Sequence, residues 1–417
     1  MTLGYTPTVA DERLEDWIER LAAFNADPAA GGVTREVYEP EYRKAGRYVT
    51  SLMEEAGLEV REDAFGNIYA LWEGTDPRAP RVLTGSHFDT TLNAGKYDGS
   101  LGVLGAIDAV HRLRTAGMDP RRGIDVVAFA GEEPRFGLGC IGSRAAVGEL
   151  TRPDLDRLRD RNGTSLATAL TGAGLDPDRL GEAQLEAELY SGFLELHIEQ
   201  GATLETAGVP VGVVTHIAAP HDLRVLLHGA AMHAGATPMN LRRDALAGAA
   251  EAMVELERLA GTSPSGTTVA TVGVLRARPG AINVIPGEVE IEVDVRDSDE
   301  AVRTQVVEDF LAAIGAIASR RGLELSHEVI ARHAPAACDE PIVGAVRRAC
   351  TDLGVDFLEM ASGAYHDAMV LNSVMPTGMI FVPSVGGISH SPLEYTDPGD
   401  ISRGVDVLAR ALAHLAA

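Results

Sequence analysis

The stretch from Arg81 to Val103, RVLTGSHFDTTLNAGKYDGSLGV, brings an imidazole and two carboxylates, His87, Asp89 and Asp98, into close succession. The apolar run Val82, Leu83, Thr84 suits a buried parallel strand, and such strands deliver polar residues at their carboxyl ends, where His87 falls. Asp89, two residues on, shares a face with His87 if strand geometry continues. Its carboxylate can then take the second imidazole N–H and fix the tautomer. The apolar run GIDVVAFA ends in Gly131, Glu132 and Glu133, and FLELHIEQG ends in His197, Glu199 and Gln200. GGISHSPLEY puts His390 on a glycine-rich loop. Taken singly, each of these is also how an ordinary polar strand end or turn reads. Taken together they are imidazoles and carboxylates without a thiolate, a set that suits Zn²⁺ or Mn²⁺, and a carboxylate able to bridge points to a two-metal centre. Two ions roughly 3.5–4 Å apart can share one water, lower its pKa and polarise a carbonyl, while a spare carboxylate takes the proton. Adjacent carboxylates at a strand end point to different sides, so Glu132 and Glu133 suit two different jobs.

These residues need a scaffold of parallel strands. Leu14, Trp17, Ile18 and Leu21 recur at helical spacing within residues 11–24, and a second helix begins near Pro40, burying Tyr42, Ala45, Val49 and Met53 before Gly57 stops it. Residues 58–72 read as a hairpin turning at Gly66 and Asn67. After Asp98 a helix runs to Gly117 and leads into the GIDVVAFA strand. Alternating helices and strands imply a layered α/β domain. Residues 149–190 read as a polar surface excursion. From about residue 217 the pattern becomes strand, helix, two strands, helix, strand, an inserted α+β sandwich over 217–331. Residues 332–417, with a final helix from Gly399 to Leu415, return to the first domain, which also holds residues 1–216. The expected fold is therefore α/β, a layered domain with a central mixed sheet flanked by helices and two metals at its strand ends, interrupted by an inserted α+β sandwich.

The chain has 417 residues and a formal net charge of −25. Two domains are the default at this length. The acidic balance argues against nucleic acid and anionic membrane surfaces as partners, because it repels both. Cys140, Cys338 and Cys350 form neither a disulfide framework nor a sulfur-rich zinc site. The start, MTLGYTPTVADERLEDW, lacks a basic segment followed by an apolar core, and no apolar run reaches membrane-spanning length. A cytoplasmic location is expected.

GSHFDT with its downstream YDG, the EEPRFG segment, HIEQG, HAGATPM, GAINVIPG, the VDVRD strand and GGISHSP occur in this order across nearly the whole chain. Together they resemble the amidase, hydantoinase and carbamoylase branch of the aminoacylase and carboxypeptidase-like di-zinc hydrolases. That branch includes N-carbamoyl-L-amino acid hydrolase, β-ureidopropionase and allantoate amidohydrolase. The resemblance implies two divalent ions, zinc or manganese with cobalt also able to satisfy the ligands. It implies Asp98 as the bridging carboxylate, His87 and His197 as ligands of one ion, and Glu133 and His390 as ligands of the other. Glu132 becomes the general base, moving a proton from water to the departing nitrogen.

The same resemblance gives the remaining motifs to the substrate, a small ureido acid. Gln200 is implied to bind its carbamoyl group, His233 to polarise the carbonyl and stabilise the oxyanion, and Asn283 and Arg296 to bind its carboxylate. The inserted domain is implied to form a homodimer and to close over the metals. Two departures bear on substrate preference: Tyr365 stands where relatives commonly show glycine, and the segment after Glu133 looks one residue short. Besides a ureido-acid amidohydrolase, the sequence leaves open an aminoacylase or dipeptidase of the same architecture, which the Gln200 context opposes. It also leaves open a metal-binding dimer without turnover, which Glu132 opposes.

Overall fold

The computed structural model describes residues 12–417. Residues 1–11, part of the stretch on which the absence of a targeting signal rests, lie outside them. The chain divides into two units. The first contains the described residues up to Thr215 together with Cys338–Met360 and His366–Ala417; the second is His216–Ala337 with Ala361–Tyr365. The excursion thus ends later than residue 331. The strand Glu324–Arg332 is followed by Ala336 and Ala337, which pair with Ile217 and His216, and the backbone N–H of Ala218 donates to Ser362, drawing in the short segment near residue 363.

The sheet of the first unit runs in the order Glu59–Glu62, Ile68–Trp72, Ile124–Phe129, Arg81–His87, Tyr190–Ile198, Thr377–Val382 and Val211–Ile217. The four strands from Ile124–Phe129 to Thr377–Val382 are mutually parallel, while the hairpin at one side and Val211–Ile217 at the other are antiparallel to their neighbours. The inner strands are buried along their whole length, which is why they read as unbroken apolar runs. The helix Ser100–Thr115 packs on Arg81–His87 and on Pro398–Leu415, and Glu340–Leu353 packs on Pro398–Leu415 in turn. Val211–Ile217 escaped the sequence reading, because only Ala218 separates it from the next strand and no turn of ordinary length marks the break.

Two polar tethers hold the loops of this unit. The buried Arg35 guanidinium donates from Nε to the Phe88 carbonyl (2.6 Å), from Nη1 to Leu21 (2.8 Å) and from Nη2 to Ser100 Oγ (2.9 Å). It joins the first helix, the segment after His87 and the start of the next helix. In the hairpin turn, Asp63 accepts the N–H groups of Phe65 (2.8 Å) and Asn67 (3.0 Å) and the Asn67 side chain (2.7 Å).

The second unit is a four-stranded antiparallel sheet in the order Glu324–Arg332, Ala219–His228, Glu288–Asp297, Val269–Arg278, with helices Ala245–Gly261 and Glu300–Arg321. Val289, Ile291, Val293 and Val295 alternate along one strand and meet Leu223, Val225, Leu227, Phe310 and Ile314 in a separate core. The alternate positions carry Glu288, Glu290 and Glu292, paired with Arg278, Arg276 and Arg224. Val269–Arg278 is an edge strand with Val269 and Leu275 exposed. Among the described residues, no helix is long and apolar enough to cross a membrane.

Candidate metal centre

The four parallel strands of the first unit end on one side, and chemistry collects there. His87 ends one strand opposite Phe129, Glu132 and Glu133 follow Phe129, and His197 lies beside Phe381 one strand further on. His390 comes from the loop after Val382. Asp98 sits immediately before Gly99 and the buried helix Ser100–Thr115. Gly99 has φ of 60°, and a β-carbon there would lie 2.3 Å from the His87 ring, so only glycine lets the Asp98 loop pass this close.

Asp98 is shared by two groups of donor atoms, one with His87 and His197 and one with Glu133 and His390, each close enough to hold a metal ion. Its two oxygens face different ways. Oδ1 lies 3.2 Å from His197 Nε2 and 3.7 Å from His87 Nε2, while Oδ2 lies 3.2 Å from His390 Nε2. His390 Nε2 is also 3.4 Å from Glu133 Oε1. Glu132 belongs to neither group, and its Oε2 stands 3.7 Å from His87 Nε2. The side chains of His87, Asp98, Glu133 and His197 are buried and that of Glu132 is slightly exposed, while that of His390 is half exposed and rests on a left-handed backbone at φ 53°.

The donor set fits divalent ions. His197 Nδ1 faces the Ile198 carbonyl at 2.9 Å, and the Gly99 N–H points at Nε2 from 3.2 Å. The hydrogen therefore sits on Nδ1, and the Nε2 lone pair faces the Asp98 carboxylate, an arrangement of two electron-rich atoms that only a cation or a proton between them makes favourable. Burial disfavours charge on His87, but Glu132, Asp89 and Asp98 outweigh it and hold its pKa well above the ordinary value. Burial also opposes ionisation of Asp98, yet His197, His390 and His87 keep it well below the carboxylate range. Burial, with Asp98 nearby, raises Glu133 to about 7. Burial and then Glu133 raise Glu132 well above its usual value, against the pull of His87. Divalent cations held by these residues would favour their deprotonated forms.

The expected outer contacts are partly redrawn. The nearest acceptor to His87 Nδ1 is the backbone carbonyl of Asp89 at 3.2 Å, with its carboxylate at 3.4 Å. The Asp89 carboxylate instead accepts the backbone N–H groups of Glu132 (3.2 Å) and Glu133 (3.1 Å), since the chain turns after His87 and carries that side chain towards the neighbouring strand end. Gln200 has φ of 60°; its amide nitrogen donates to Asp98 Oδ2 at 2.7 Å, and its buried carbonyl oxygen has no partner. Residues the sequence reading passed over also face the centre. The buried Glu195 accepts from Ser86 Oγ (2.7 Å) and the Ala368 N–H (3.0 Å), and the His366 ring lies 4.6 Å from that of His197. Glu195, His197 and His366 form a third cluster of donors, but Glu195 is already satisfied on both oxygens, so it supports His197 from behind. The Cys140 thiol lies 3.5 Å from Glu132 Oε1. The signal for Glu195 was its place two residues before His197, on the same face of the strand.

His233, Asn283 and Arg296 lie in the second unit. The first two are neighbours: His233 bridges to Val284, and the N–H of Ala234 donates to the Asn283 carbonyl at 2.9 Å. They belong to the end of the sheet where Glu288 pairs with His228. Arg296 pairs with Pro220 at the other end of that strand, about 25 Å away at the rise of an extended chain. The strand between them is therefore too long for one copy of this unit to direct all three side chains to one small ligand. The Arg296 guanidinium is held by Asp294 (2.7 and 2.9 Å) and donates to the Gly363 carbonyl.

Peptidase family M20/M25/M40 matches residues 82–414, and the chain belongs to this family. It is 44% identical over 409 residues to the N-carbamoyl-L-amino acid amidohydrolase of Geobacillus stearothermophilus, covering 98% of this chain and 99% of that protein. It is 42% identical over 419 residues to the ureidoglycolate hydrolase of Oryza sativa subsp. japonica, covering 99% of this chain and 86% of that protein. The crystal structure of a hydantoinase/carbamoylase family amidase from Burkholderia multivorans superposes with a TM-score of 0.90 at 34% identity, covering 98% of each chain. The chain is accordingly an amidohydrolase of the hydantoinase and carbamoylase branch, acting on linear amide C–N bonds.

Proposed function

We propose that the chain hydrolyses the carbamoyl C–N bond of an N-carbamoyl-L-amino acid or a related ureido acid such as allantoate. One water is consumed, and the amine, ammonia and carbon dioxide are released. The observation that carries this reading is Asp98, whose two oxygens face two separate donor groups, while Glu132, 3.7 Å from His87, belongs to neither. His87 and His197 would hold one divalent ion, Glu133 and His390 the other, with Asp98 between them; zinc, manganese and cobalt all suit these ligands. When bound, two such ions supply Lewis acidity and make water a nucleophile near neutral pH. Glu132 takes the proton of the attacking water and returns it to the departing nitrogen. The unpartnered Gln200 carbonyl oxygen is an acceptor for the N–H₂ of a carbamoyl group. Arg296, already aligned by Asp294, binds the substrate carboxylate.

His233 polarises the scissile carbonyl and Asn283 helps to hold the substrate. Because these two lie at the far end of the sheet from Arg296, the reading takes them from a second copy of the chain, in a homodimer built on the second unit with its exposed edge strand Val269–Arg278. Ureidoglycolate is a further candidate substrate, favoured by the 42% identity to the rice enzyme along nearly the entire chain. In Glu132→Gln, turnover is expected to fall by about 10²–10⁴-fold with the metal content unchanged. Wild-type turnover in that variant contradicts the role given to Glu132.

A further inference from the structure

We propose that Glu394 is the positioning residue that locks the bridging carboxylate and the His390 loop into one centre, and that one of the two ions depends on it. The inference rests on the two-metal reading above. Glu394 lies in the same loop as His390 and, unlike that half-exposed side chain, is buried. Its Oε1 accepts the backbone N–H groups of Tyr97 (2.9 Å) and Asp98 (3.1 Å), from a segment almost three hundred residues earlier in the chain. Its Oε2 faces Ser389 Oγ at 2.9 Å, and the same hydroxyl lies 2.8 Å from Asp98 Oδ2. One carboxylate thus fixes the backbone of Asp98 directly, and through Ser389 it fixes the residue preceding His390.

Two observations show that the surroundings are shaped around this contact. A β-carbon at Gly95 would lie 2.1 Å from the Glu394 carboxyl group, so the Asp98 loop closes on Glu394 only because residue 95 is glycine. His390 keeps a left-handed backbone without being glycine, a conformation that persists only where neighbouring contacts over-determine it. On its exposed loop the Ser389–Glu394 link supplies that constraint. The link is also responsive. A hydroxyl has one hydrogen, so Ser389 serves either Asp98 or Glu394 at a given moment. A cation that takes up the charge of Asp98 leaves the hydroxyl to Glu394. Metal binding and the closure of the two loops therefore reinforce each other, and the ion held by Glu133 and His390 benefits most, since His390 is the ligand with the fewest other restraints.

The test is zinc titration of metal-stripped protein against a chromogenic chelator, for wild type, Glu394→Gln and Ser389→Ala, with circular dichroism to verify folding. Wild type is expected to bind two ions per chain. In Glu394→Gln the amide oxygen still accepts from Tyr97 and Asp98 but the second acceptor for Ser389 is gone, so one ion should bind as in wild type and the other 10–100-fold more weakly. Ser389→Ala should weaken the same ion, and it decides the matter if Glu394→Gln does not fold. Both ions at wild-type affinity in the folded variants would overturn the inference alone. Fewer than two ions in wild type would overturn the two-metal reading beneath it.

Discussion

Asp63 shows how a single buried carboxylate sets a pH dependence away from the catalytic centre. Burial raises its pKa from 3.8 to about 6, against the hydrogen bonds from Asn67 and Phe65. A raised carboxylate pKa means that the folded chain holds the proton more tightly than the unfolded one. The associated stability is therefore fully present below about pH 4 and is lost as pH rises through about 6. The change amounts to about 2–3 kcal/mol. Asp63→Asn keeps an acceptor for the turn but cannot ionise, so its melting temperature should vary less than that of wild type between pH 4 and 6.5. Parallel melting curves for the two proteins across that range would contradict the assignment. Residue type alone made much of the centre legible: His87, Asp98, Glu133, His197 and His390 each stand beside glycine or at a strand end in the sequence. Glu195 was marked only by its place two residues before His197, and Glu394 was not legible, because the backbone N–H groups it accepts belong to a distant segment.

At the scale of elements, the centre depends on how the strand ends are tied to the helices that follow them. Arg35 does this for His87, with donors to Leu21, Phe88 and Ser100 from one buried guanidinium. Burial lowers its pKa to about 10, so it remains charged at neutral pH. Arg35→Met removes these charged donors, leaving the buried Phe88 carbonyl unpaired and the Leu21 carbonyl with the Phe24 N–H alone, at about 1–3 kcal/mol for each bond lost. Unfolding in denaturant should therefore show a loss of roughly 3 kcal/mol or more, and a loss under 1 kcal/mol would show that water or other donors replace the guanidinium. The elements themselves were well marked in the sequence. The inner strands read as apolar runs because both faces are covered, and the strand Glu288–Asp297 alternates because one face bears the Glu and Arg ladder. What escaped was Val211–Ile217 and the late return of the chain near Ala337. A strand separated from the next by a single residue has no loop to mark its boundary in the sequence, and pairing across distant segments leaves no periodicity.

At the scale of the whole molecule, the separation of His233 and Asn283 from Arg296 within one sheet makes a specific prediction about assembly. If each site draws on two copies, Glu132→Gln and His233→Ala chains are each inactive alone but complement one another when mixed. Half the dimers of a statistical mixture then contain one intact site of two, and about a quarter of wild-type activity returns, on the symmetric-dimer geometry of isologous interfaces. If each chain holds a complete site, mixing restores nothing. The formal net charge of −25 opposes association with polyanions, although charge alone selects no substrate. The measurement closest to the central claim is ammonia release by the metal-reconstituted protein. It should be offered N-carbamoyl-L-amino acids, N-carbamoyl-β-alanine, allantoate and ureidoglycolate, with N-acetyl amino acids and dipeptides assayed in parallel for free amine. Ammonia from at least one ureido acid, abolished by Glu132→Gln, is the predicted result; amine from the acyl or peptide set with no ammonia from any ureido acid would contradict the account.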